Sequence, residues 1–219
     1  MPEIITYTSG GISIRAESYA PAKPANGAAV VIAHGSDGVT DHLNGPWASM
    51  MREFATDFAG RGFAVLLPYY FDRTGTEPGI PAMQSMFGHM AAWQEALADA
   101  VTFAGRRVAL VGFSLGGHLS LRLRGSVPVV VEFFAPFLTG LGPAPAVLPH
   151  VQIHHGEADR LVDIANAEQI ASVLKEEGAT ADLRSYHEAG HGFGGGKPGD
   201  AEARRVSRER AVTFLSAHV

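Results

Sequence analysis

Short β-branched runs alternate along the chain with longer stretches whose apolar residues recur every three or four positions. That alternation predicts an α/β protein, with strands joined by helical crossovers in a largely parallel sheet. Residues 28–33 are continuously apolar, as in a central strand buried on both faces. Residues 47–60 carry Met50, Met51, Phe54 and Phe58 at helical spacing, and Gly60-Arg61-Gly62 closes that helix. A strand over 63–67 stops at Pro68, and a loop with Tyr69, Tyr70, Phe71 and Arg73 leads past Pro78 and Pro81 into a helix over 84–104. Further strands are expected at 107–111, 127–133, 151–155 and 181–187, with helices after Gly117 and over 163–177 and 201–217. Residues 136–149 read as a Pro/Gly-rich connection. No internal repeat or linker divides residues 1–219, so a single domain is expected.

Composition narrows the function classes. With 46% hydrophobic and 18% charged residues the 219-residue chain is globular. A formal net charge of -5 and no run of Lys or Arg argue against a nucleic-acid partner. The absence of cysteine excludes disulfides, a thiolate nucleophile and cysteine-ligated metal. The opening Pro2-Glu3-Ile4 has neither the basic segment nor the apolar run of a secretory signal, and no stretch of about 18 apolar residues suggests a membrane span. A soluble cytoplasmic protein with no membrane partner is therefore expected.

Candidate chemistry centres on Gly112-Phe113-Ser114-Leu115-Gly116-Gly117, which lies between an apolar strand and a helix. A serine hydroxyl needs a base, an orienting acid and donors for the developing oxyanion. A G-x-S-x-G turn lifts the hydroxyl above the sheet and aims the next amide, here that of Leu115, at the oxyanion. The plainer alternative is a tight turn with Ser114 as a helix cap.

The partners should follow in the order acid, then histidine, on loops after later strands. His191 lies just past the last strand in Glu188-Ala189-Gly190-His191-Gly192-Phe193. Asp159 follows an earlier strand in Gly156-Glu157-Ala158-Asp159, where it would accept the Nδ1 proton of His191. Glu157 and Asp163 compete; Asp163 fits a helix N-cap better. A solvent-facing His191 and a simple turn Asp159 are the bland readings. Ser36, in the loop His34-Gly35-Ser36-Asp37-Gly38, is expected to give the second oxyanion amide, with His34 positioning that loop.

From about residue 28 onward these pieces resemble the dienelactone hydrolase family of small, lidless α/β hydrolases. The matching segments are Val31-Ile32-Ala33 with Gly38, Leu67-Pro68-Tyr69, Gly112 to Gly117, Gly156 to Asp159 and Ala189 to Phe193. The resemblance implies an α/β-hydrolase fold with helices on both faces of a mostly parallel sheet, hydrolysis of ester or lactone bonds, and no cofactor. It departs from the family in three places. Ser114 stands where dienelactone hydrolases carry cysteine, and Gly35 stands where they place a glutamate. Of the two arginines that hold their substrate's carboxylate, Arg73 matches one, and no arginine follows His191. Ordinary serine-esterase chemistry is implied rather than turnover of dienelactone.

Ten histidines raise a metal reading, chiefly through His150, His154 and His155 or through His187 and His191. Gly190 and the strand-like residues before His187 oppose the helical spacing such a site needs, so no metal is expected. His118 reads as a packed helix residue. Tyr69, Tyr70, Phe71, Trp47 and Phe137 either line an apolar substrate pocket or cover the edge of the core; with Arg73, Tyr69 and Tyr70 are the substrate-binding candidates. No helical insertion separates residues 133 and 150, so no large cap is expected, which leaves residues 69–88 as a partial lid. The expected function is cleavage of a small ester or lactone through an acyl-enzyme, in a monomer or homodimer. A non-catalytic hydrolase-fold protein binding a small ligand or partner is the alternative.

Overall fold

The computed structural model describes residues 2–219 apart from Asn44. Eight strands form one sheet in the order β1-β2-β4-β3-β5-β6-β7-β8. They are β1 (Glu3–Ser9), β2 (Ile12–Tyr19), β3 (Ala29–Ala33), β4 (Ala64–Pro68), β5 (Val108–Phe113), β6 (Val129–Phe133), β7 (His150–Gly156) and β8 (Thr180–Tyr186). The pairs β1/β2 and β2/β4 are antiparallel, and every pairing from β4 through β8 is parallel. The fold is that of an α/β hydrolase, and residues 136–149 add no helical cap.

Five helices cover the two faces: α1 (Trp47–Gly60), α2 (Ile80–Ala104), α3 (Leu115–Arg122), α4 (Ala165–Glu176) and α5 (Asp200–His218). Because side chains alternate along a strand, β3 sends Val30 and Ile32 to one face and Ala29, Val31 and Ala33 to the other. The first set packs with Met51 and Phe54 of α1 and Leu215 of α5; the second packs with Trp93 of α2, Leu119 of α3 and Ile170 of α4. Residues apolar at every position are thus explained by helices on both sides.

Two elements differ from the sequence expectations. The β1/β2 hairpin, turning at Gly10-Gly11, was not anticipated, because polar residues such as Thr6, Arg15 and Glu17 alternate with its apolar ones. Helix α2 begins at Ile80 rather than at residue 84, since Pro81 sits in the first turn, where no amide is needed. The chain reverses direction across the sheet after β3, whose neighbours are β4 on one side and β5 on the other. Such a switch point opens a crevice at the C-terminal strand ends, and the residues after β3, β5, β7 and β8 all emerge there.

Candidate active site

Ser114 is the single residue between β5 and α3, held at φ 51 and ψ -117. A non-glycine residue in this region is strained and persists only when its surroundings hold it. Its amide donates to the Phe133 carbonyl (2.8 Å) and its carbonyl accepts from the His118 amide (3.1 Å). Close packing explains the flanking glycines. A Cβ on Gly112 would lie 2.3 Å from the Gly116 carbonyl oxygen, and one on Gly116 would lie 2.2 Å from that of Ala33.

Seventy-seven residues along, His191 brings Nε2 to 3.2 Å from the Ser114 hydroxyl. Its Nδ1 lies 2.7 Å from Asp159 Oδ2, so an Nδ1 proton donates to the carboxylate and leaves Nε2 free to accept from serine. The other carboxylate oxygen accepts the amides of Leu161 (2.8 Å) and Val162 (2.9 Å), which fixes the acid in its turn. Burial raises the Asp159 carboxyl, but the hydrogen bond and charge of His191 and the two amides outweigh it and hold the group below the ordinary carboxylate value. The competing acids are engaged elsewhere: Glu157 with Ser185 and His187 on the surface, Asp163 with the Ala165 amide before α4.

One aromatic side chain packs on the imidazole and another on the loop that follows it. Phe134, at φ 43 just past β6, meets the His191 ring edge-on at 4.8 Å. That turn is held from below by Glu132, whose Oε2 accepts the Ala135 amide (2.9 Å); full burial pushes this carboxyl up to about 8, so it is protonated at neutral pH. Trp47 packs on the loop after His191, so closely that a Cβ on Gly192 (φ 72) would fall 2.0 Å from the indole. Sequence reasoning assigned neither Phe134 nor Glu132 a role, although the position of Phe134 directly after a buried strand was a usable signal.

The loop after β3 passes against Ser114: a Cβ on Gly35 would lie 3.3 Å from Ser114 Cβ. Neither the Ser36 amide nor the Leu115 amide at the start of α3 donates to another backbone carbonyl among the described residues. His34 is buried, and burial lowers its pKa to about 4, so it is neutral. Its Nδ1 donates to the Gly35 carbonyl (2.8 Å), and its ring stacks on Tyr70 at 3.9 Å.

Above Ser114 lies a cavity of about 310 Å³ whose walls include Trp47, Met50, Met51, Met83, Phe134 and Leu161, with Ser36 and Asp37 along the loop. The three substrate-binding candidates do not line it, which corrects that expectation. Tyr70 is buried, with its hydroxyl donating to the His34 carbonyl (2.7 Å), so it supports the loop from beneath. Tyr69 donates to Glu17 (2.8 Å), and Arg73 reaches Glu95 (3.3 Å) beside the Gly10 turn. Of the other aromatic candidates only Trp47 reaches the cavity. Among the described residues no three His, Asp or Glu side chains gather as a metal-ligand set. His150 stacks on His218, and His154 hydrogen-bonds Tyr186 and Gln152 in the core.

The sequence profile of the dienelactone hydrolase family matches residues 14–219. The chain belongs to that family. Membership makes the protein a carboxylic ester hydrolase, and in this dienelactone hydrolase relative Ser114 stands at the turn between β5 and α3. Among curated proteins no match is found. Solved structures share the fold at low identity. A dienelactone hydrolase-like promiscuous phosphotriesterase from metagenomic libraries is 21% identical, with TM-score 0.78 over 99% of this chain and 98% of its own. A putative dienelactone hydrolase from Klebsiella pneumoniae is 19% identical, with TM-score 0.73 over 99% and 98%. A thermophilic esterase from Thermogutta terrifontis, bound to propionate, is 19% identical, with TM-score 0.67 over 99% and 94%.

Proposed function

We propose that the protein hydrolyses a neutral carboxylic ester or lactone in two steps, with Ser114 as nucleophile, His191 as general base and acid, and Asp159 as the group that orients and charge-balances the imidazole. The observation that carries this reading is the placing of His191, with one ring nitrogen 3.2 Å from the serine hydroxyl and the other 2.7 Å from a buried carboxylate. As Ser114 Oγ bonds to the carbonyl carbon, its proton passes to His191 Nε2, and the amides of Leu115 and Ser36 receive the oxyanion. The imidazolium then protonates the alcohol oxygen as the carbon–oxygen bond breaks, leaving an acyl group on Ser114. Water adds by the same route, giving its proton to His191, and the acid leaves as Ser114 regains a proton.

A neutral substrate is favoured because among the described residues the cavity wall holds no lysine or arginine, while Asp37 adds a negative charge. The Thermogutta terrifontis esterase shows that the same fold carries ester hydrolysis. Fluorophosphonate labelling followed by peptide mass spectrometry should place one adduct on Ser114. Ser114→Ala should lose roughly four to six orders of magnitude in kcat on p-nitrophenyl acetate; retained activity, or labelling elsewhere, would refute the assignment.

A further inference from the structure

Esters can differ in the length of the chain they carry, and the mouth of the cavity bears on that choice. Met83 and Leu161 both line the cavity and both reach the surface, with 38% and 71% of their areas exposed, so they form its rim. Met83 belongs to α2, where Ile80 and Phe87 stand three residues before it and four after it. That spacing puts all three on one helical stripe. Ile80 is 64% and Phe87 67% exposed, an arrangement that leaves large apolar side chains facing water on either side of the rim. The start of α2 is tied to the loop beside Ser114, because the Gly79 amide donates to the Ser36 carbonyl (2.8 Å).

We propose that this stripe is a binding track for the substrate: an unbranched aliphatic chain of the ester leaves the Ser114 cavity between Met83 and Leu161 and lies along Ile80 and Phe87. The inference rests on the hydrolase reading of the same site and assigns it a substrate class, esters of medium to long aliphatic chains. A chain is favoured over a second protein as the occupant because Met83, in the middle of the stripe, also belongs to the interior apolar wall with Trp47, Met50 and Met51. With no lysine or arginine among the described residues of that wall, Asp37 disfavours a chain ending in a carboxylate.

The test measures kcat/KM for two series, p-nitrophenyl esters from acetate to dodecanoate and n-alkyl acetates of matching chain length. In at least one series each added methylene should raise kcat/KM up to about fourfold while it gains apolar contact, and the gain should continue beyond eight carbons. Phe87→Ser and Ile80→Ser should each lower the dodecyl-chain value about five- to tenfold more than the shortest-chain value, with the loss in KM. A parallel titration of Ser114→Ala with 1-decanol and 1-butanol, followed by the fluorescence of Trp47, should show decanol binding at least a hundredfold tighter, and Phe87→Ser should narrow that gap.

Cleavage of short esters with no gain on lengthening in either series would overturn the track and leave the hydrolase reading intact. Decanol binding that depends on Phe87, with no ester cleaved, would overturn the hydrolase reading and keep the track. Sedimentation velocity supplies the remaining arm: a dimer that Phe87→Ser dissociates, with equal losses at all chain lengths, would assign the stripe to a second copy and overturn the proposal.

Discussion

Two clefts flank the loop after β3, and they differ in what their polar groups are free to do. On one side, the cavity of about 310 Å³ is walled by methionine and aromatic side chains and holds Ser114 and His191. On the other, a cleft of about 170 Å³ is lined by Arg15, Tyr69, Asp72 and Glu77, with His34 at its inner end; Gly38 borders both. The second cleft has more charge and less chemistry. Arg15 gives Nε and Nη2 to the two oxygens of Asp72 (2.8 and 2.7 Å) and lies over the Tyr69 ring at 5.1 Å. Tyr69, Tyr19 and Arg52 converge on Glu17, and although burial raises that carboxyl, these partners hold it below its ordinary value. Arg15, Asp72 and the Tyr69 hydroxyl are thus each engaged by a neighbour. In the first cleft the hydrogen-bonded pair of Ser114 and His191 opens onto apolar walls that leave it little else to bind.

The sharpest way to break this contrast is to spoil the valence of His191 without moving it. Asp159→Asn is nearly isosteric, but an amide nitrogen facing Nδ1 would require that nitrogen to accept, forcing the proton onto Nε2 and depriving Ser114 of its base. The expected loss in kcat is about 10⁴, with the melting temperature changed far less, measured by ester hydrolysis alongside calorimetry. A loss smaller than tenfold would mean that the buried carboxylate is one more internally satisfied charge, like Asp72 in the other cleft.

That Ser114, His191 and Asp159 would meet was legible in the sequence because each lies near a strand end. Ser114 follows the buried apolar strand β5, Asp159 follows the buried strand β7, and His191 comes shortly after the more exposed edge strand β8, so all three emerge at one end of the parallel sheet. What could not be read was the far wall. Met83 and Leu161 reach the cavity only through the way α2 and the turn after Asp159 pack, which no local period encodes. Tyr69, Tyr70 and Arg73 illustrate the converse. They follow a strand end as Asp159 and His191 do, yet the chain there turns toward the β1/β2 hairpin, whose alternating polar residues hid it from sequence reading and whose Glu17 claims the Tyr69 hydroxyl.

A smaller effect should come from the support of His191. The indole of Trp47 occupies the space where a Cβ on Gly192 would stand, and Gly192 holds a φ of 72. Gly192→Ala therefore has to displace the indole or the loop, and a shift of about 1 Å in the imidazole is worth about a hundredfold in rate. The expected pattern is a fall of that order in kcat with KM altered less, and a red or blue shift of Trp47 fluorescence. A variant with full kcat would show that the loop finds its geometry without the indole.

The least effect is expected on the charged side of the loop, and its smallness is the informative part. Tyr69→Phe removes one of several bonds to Glu17, which keeps Arg52 and Tyr19. Arg73→Ala removes an ion pair whose Glu95 partner is 65% exposed, a contact worth at most about 1 kcal/mol. Neither side chain lines the Ser114 cavity, so kcat/KM on a neutral ester should stay within about twofold of wild type for both. A carboxylate-bearing lactone provides the stricter assay, since the family resemblance casts Arg73 as a holder of that group. If Arg73→Ala lowered turnover of the anionic lactone while sparing the neutral ester, the loop would have to open toward the second cleft during catalysis, and the separation of the two clefts would fail. Equal, small changes on both substrates would leave the charged cleft as scaffold, with Tyr70 and His34 beneath the loop as its link to the reaction.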